Sequence, residues 1–144
     1  LPMSERSDNM IESLREWQKI ERESMSATAR ISEQTNSSLI RLIMDIIRHD
    51  SHMHHRVQQY LVDSLTVQSP TVSREDIAAI WDSIEAHDRA EKRTIEIAEH
   101  LQKEAWTPVH KLLLDYLIRD ERKHDQLLEQ LDAFKADMSR ASGA

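Results

Sequence analysis

Residues 118–131 read IRDERKHDQLLEQL, and residues 48–61 read RHDSHMHHRVQQYL. Set one above the other, 70 positions apart, they share an aspartate (Asp50, Asp120), a histidine (His54, His124) and a leucine (Leu61, Leu131). The register holds without a gap from residue 5 to residue 61. Glu5, Ser13, Glu21, Leu42 and Asp45 recur as Glu75, Ser83, Glu91, Leu112 and Asp115, and conservative pairs such as Leu14/Ile84, Arg22/Lys92, Ser24/Thr94 and Ile43/Leu113 fill the intervals. A duplicated helical hairpin accounts for this register. The expected fold is all-α, an antiparallel four-helix bundle built from two hairpins, one domain over residues 1–144 with repeats at 5–65 and 75–135.

Composition agrees. A 144-residue chain with one glycine, three prolines and 31% charged residues has the make-up of long helices with few turns. Its formal charge of −7 and 4% aromatic content lack the basic face that phosphates require, so no nucleic-acid partner is expected and cations are the better match. There is no cysteine, which leaves oxygen and imidazole as metal donors and rules out disulfides and thiolate sites. No apolar run approaches the roughly 18 residues of a membrane span, and no signal-peptide pattern opens the chain. The expectation is a cytoplasmic protein with no membrane partner.

Helical periodicity occupies four stretches. The first runs from about Asp8 to Ser32 and stops at the Thr35-Asn36-Ser37-Ser38 cluster. The second runs from Leu39 to about Leu65, and Ser69-Pro70-Thr71 breaks it. Ser73-Arg74-Glu75-Asp76 resembles a capping box and opens a third helix through about Glu104. Thr107-Pro108 places a cap before a proline at the first helical position, starting a fourth helix to about Met138, with residues 139–144 expected to be disordered.

Each apolar stripe is interrupted near its middle. Helix one reads Leu14, Trp17, Glu21, Met25, Ile31, and helix three reads Ile84, His87, Glu91, Ile95, Leu101. Helix two carries Asp50, Ser51 and His54 between Ile47 and Val57; helix four carries Asp120, Glu121 and His124 between Leu117 and Leu127. The interruptions lie at similar heights along their hairpins. A carboxylate withdrawn from water costs several kcal/mol unless a partner compensates, so four such groups converging on one level call for a cation.

This arrangement resembles the ferritin-like carboxylate proteins, the class that includes rubrerythrins, which use a Glu on helices one and three and Glu-x-x-His on helices two and four. The resemblance covers nearly the whole chain. It implies Glu91, Glu121 and His124 as a complete half-site and Glu21 with His54 as a second, in which Ser51 stands where the family has a glutamate. Two substitutes are open: Asp50, repeated as Asp120, acting as a ligand or as acceptor from a ligand histidine, or His87, one turn before Glu91. The implied metal is iron, one ion or two, with manganese or zinc as alternatives, and the implied chemistry is ferroxidase or peroxide handling. A hemerythrin pattern finds only His87-x-x-x-Glu91, because Asp120 stands where its next helix needs a histidine. His49, His52 and His55 read as a surface cluster. The alternative is a non-catalytic helical module for assembly or protein binding, with a structural metal or none.

The connection between helices two and three sets a geometric condition. Thr66 to Val72 spans at most about 25 Å, whereas a helix of roughly 27 residues is about 40 Å long. Helix two unwinds early, the crossover is not end to end, or two chains exchange hairpins as a homodimer.

Overall fold

In the computed structural model, which describes residues 3–67 and 73–143 with side chains through Asp137, the chain is four long helices: α1 (Met3–Glu33), α2 (Ser38–Thr66), α3 (Arg74–Glu104) and α4 (Pro108–Gly143). No strand occurs among the described residues. The all-α class holds, with the complement of helices that a four-helix bundle needs. The chain divides into two compact units, residues 1–71 and 72–144. In the first, α1 packs on α2; in the second, α3 packs on α4.

The turn chemistry sets the helix ends. Ser37, extended at φ −72° and ψ 117°, accepts a hydrogen bond from the Ile40 amide at 3.3 Å and caps α2. Ser73 does the same for α3, accepting from the Asp76 amide at 3.0 Å. Thr107 Oγ1 accepts from the His110 amide at 3.1 Å, with Pro108 as the first residue of α4. α2 is intact to Thr66, so early unwinding does not shorten it; the Ser69-Pro70-Thr71 break lies outside the described residues. α1 begins at Met3, a turn before the expected start, and α4 continues to Gly143 instead of ending near Met138. Both extensions lie in polar stretches with no glycine or proline before Gly143, where helix propensity decides and hydrophobic periodicity gives no signal.

In each unit the helix contacts descend along one helix as they ascend along the other. Arg15 meets Gln59, Gln18 meets His55, and Ser24 meets Ser51; in the second unit Glu99 meets Arg122 and Glu91 meets His124. Both units are therefore antiparallel hairpins. The buried apolar residues are few: Leu14 and Val62 in the first, and Ile77, Trp81, Ala98 and Ile118 in the second. Part of the predicted stripe of the first unit is exposed. Trp17 is 53% exposed and Ile31 42%.

Candidate metal centre

Glu91 lies on the α4-facing side of α3 and is 7% exposed. Its two oxygens are treated differently. Oε1 lies 2.7 Å from His87 Nε2, one turn earlier on the same helix, and 3.5 Å from His124 Nδ1 on α4. Oε2 is enclosed and has no hydrogen-bond partner. A buried carboxylate oxygen left unsatisfied costs about 1–3 kcal/mol and more when charged, so it marks a place where a proton or cation belongs.

Glu121 and His124, three residues apart on α4, supply the rest. His124 Nδ1 is 3.9 Å from Glu121 Oε2, and ligand atoms of Glu91, Glu121 and His124 all lie within 4.8 Å of one another, the one such group among the described residues. The helical spacing of three places both α4 donors on the side facing Glu91. Asp120 sits behind them. Its Oδ2 is 3.5 Å from His124 Nε2, the nitrogen that does not face Glu91, and its Oδ1 receives Lys123 Nζ at 2.9 Å. Of the two roles open to Asp120, its position beside His124 Nε2 fits the acceptor behind the histidine.

The first unit keeps part of this arrangement. Glu21 is 7% exposed, and its Oε1 is 3.4 Å from His54 Nδ1. The same oxygen accepts a hydrogen bond from Trp17 Nε1 at 3.1 Å, the indole standing where the second unit has His87. Ser51, in the place of Glu121, is 6% exposed and its hydroxyl lies 2.9 Å from that of Ser24. Asp50 is half-buried and joins no group of three potential ligands among the described residues. The structure brings Glu91, Glu121, His124 and His87 together, pairs Glu21 with His54, and leaves Asp50 apart. The His54 side chain is 59% exposed, more than the 41% of His124, while its Nδ1 reaches Glu21 across the hairpin.

A second acidic cluster has no counterpart in the sequence reading. Asp88, three residues before Glu91, faces Asp125, the neighbour of His124. With both carboxyls ionised, the enclosed Asp88 Oδ1 and Asp125 Oδ1 have no donor. A proton on Asp125 supplies one: the hydrogen bond to Asp88, with burial, pushes the Asp125 carboxyl up to about 6. The same bond, helped by Lys92 at 3.1 Å, holds Asp88 below its ordinary value. In the first unit these positions are Gln18 and His55, and the Gln18 amide satisfies itself on Gln59 Oε1 at 3.1 Å and the His55 carbonyl at 3.4 Å. A non-acidic residue in one repeat set against an acid in the other, at both positions, is the signal the sequence carries.

Three of the remaining histidines have contacts elsewhere. His55 contacts Arg22 at 3.2 Å, His100 contacts Glu104 at 3.3 Å, and His110 stacks edge-on against Trp106. No described helix is long and apolar enough to cross a membrane. No family model, curated protein or solved structure matches the chain.

Proposed function

We propose that this chain is a metal-binding protein whose centre lies in the α3–α4 hairpin, held by Glu91, Glu121 and His124, and that iron is its metal. The observation that carries the reading is the Glu91 carboxylate: buried, with one oxygen unpartnered, and grouped with a second carboxylate and an imidazole. Two carboxylates and one imidazole, without thiolate, suit iron or manganese and tolerate zinc. The resemblance to ferritin-like proteins points to iron among these.

Each residue has a separate task. Glu91 provides a negative oxygen already stripped of water, so its affinity for a cation is not diminished by further desolvation. Glu121 provides the second charge and, at 23% exposure, keeps one side of the group open to solvent. His124 presents Nδ1 while Asp120 steadies Nε2. His87 holds Glu91 Oε1 and, with its ring 65% exposed, is the available fourth donor. Bound iron in such a donor set supplies one-electron chemistry toward oxygen or peroxide.

Metal content after purification without chelator tests the reading. The parent chain is expected to retain iron, manganese or zinc that a Glu91→Ala/His124→Ala double variant does not. Equal metal in the two would remove the proposal. Air oxidation of added Fe(II), followed by absorbance, then separates a redox role from a structural one.

A further inference from the structure

We infer that the first hairpin is closed to metal, and that Ser51, paired with Ser24, is the residue that closes it. The inference rests on reading Glu91, Glu121 and His124 as the centre of the second hairpin. Up to a point the two hairpins are alike: a glutamate 7% exposed on the first helix of each, with a histidine Nδ1 at 3.4 Å in one and 3.5 Å in the other. Three differences separate them, and all act in the same direction.

The first is the third donor. A carboxylate stands at Glu121, whereas Ser51 offers a neutral hydroxyl that stays protonated at neutral pH and is already engaged with Ser24 Oγ at 2.9 Å. The second is how the facing hydroxyl is turned. Ser24 reaches across to α2, but Thr94, its counterpart, donates back to the Ala90 carbonyl of its own helix at 2.9 Å. The third is the ring one turn before the glutamate. Each ring nitrogen sits on Oε1 of its glutamate, at 2.7 Å for His87 and 3.1 Å for Trp17, but the imidazole has a second nitrogen that can carry a lone pair for a metal, whereas the indole can only donate. One carboxylate oxygen already accepting from an indole, plus one imidazole, does not make a site for a hard or borderline cation. Glu21 and His54 are left in contact across the hairpin.

Calorimetric titration of the full chain with Co(II) tests this. Glu21→Gln and His54→Ala are expected to leave the number of ions bound and the affinity within about twofold of the parent, while His124→Ala abolishes binding. Ser51→Glu is expected to add one further ion per chain, a gain retained beside His124→Ala and lost beside His54→Ala. Should Ser51→Glu lose its helical circular dichroism, Ser24→Gly/Ser51→Asp makes room for a shorter carboxylate and is read the same way. Loss of an ion in Glu21→Gln or His54→Ala overturns the inference, as does a folded Ser51 carboxylate variant that gains none. A parent chain that binds no Co(II) defeats the reading of the second hairpin alone, because the Ser51 variants still report on the first.

Discussion

His87 Nε2 and Glu91 Oε1, one turn apart on α3, are joined at 2.7 Å, and the histidine is 65% exposed while the glutamate is 8% exposed. The contact is thus one-sided: a solvent-facing ring holds an oxygen of a buried side chain. Replacing His87 with leucine leaves that oxygen with only the longer approach of His124. In metal-free protein the variant is expected to lose about 1 kcal/mol, the lower end for an unsatisfied buried acceptor because the ring itself is solvated. Urea unfolding measures it; an unchanged midpoint would show that Glu91 does not depend on His87.

The Ser24–Ser51 pair is tested by a double-mutant cycle. Ser51→Ala and Ser24→Ala are each expected to destabilise the first hairpin by about 1 kcal/mol, and the double variant by less than their sum, because each single change strands the other hydroxyl. Strict additivity would mean that the hydroxyls, 2.9 Å apart, do not act on one another.

Asp125 gives a pH dependence of definite sign. Its folded pKa of about 6 lies above its ordinary 3.8, so the folded state holds this proton more tightly than the unfolded chain. The stability that follows is fully present below about pH 4 and is lost as pH rises through 6. Asp88 runs the opposite way, its contribution present above 3.8 and lost at lower pH, outside that window. Asp125→Asn is therefore expected to gain on the parent between pH 4 and 7, because an amide donates to Asp88 at any pH. A difference that is flat across the range, by denaturation at matched ionic strength, would contradict the shared proton.

Helix caps offer a check on the frame itself. Ser73→Ala removes the acceptor of the Asp76 amide and is expected to cost about 1 kcal/mol. Thr107→Ala is expected to cost about as much at α4, where Thr107 Oγ1 accepts from the His110 amide. Thermal unfolding followed at 222 nm reports both.

How much of this was legible beforehand follows from the physics of each feature. The four helices and their caps could be read because Ser37, Ser73 and Thr107-Pro108 act locally, through amides two or three residues away. The grouping of Glu91, Glu121 and His124 could be read because spacing along a helix fixes which side chains share a face. What Ser51 does could not. A serine in place of a glutamate marks a departure, but its pairing with Ser24 depends on a hydroxyl turning across to α2, where Thr94 turns back on its own helix. The contact of Trp17 was not legible for a related reason: a place on the stripe does not show that its half-exposed indole donates to Glu21. Asp88 and Asp125 were passed over because two acids on neighbouring helices look like solvated surface until their enclosed oxygens are found facing without a donor.

The central claim, a cation site at Glu91, Glu121 and His124, meets its most direct test in the stability of the chain as a function of Fe(II) under anaerobic conditions. A ligand that binds only the folded state adds about 2.7 kcal/mol at a hundredfold excess over its Kd. The account predicts that the parent chain is stabilised progressively by Fe(II) and the Glu91→Ala/His124→Ala variant is not. Equal stabilisation of the two, or none in either, would contradict it.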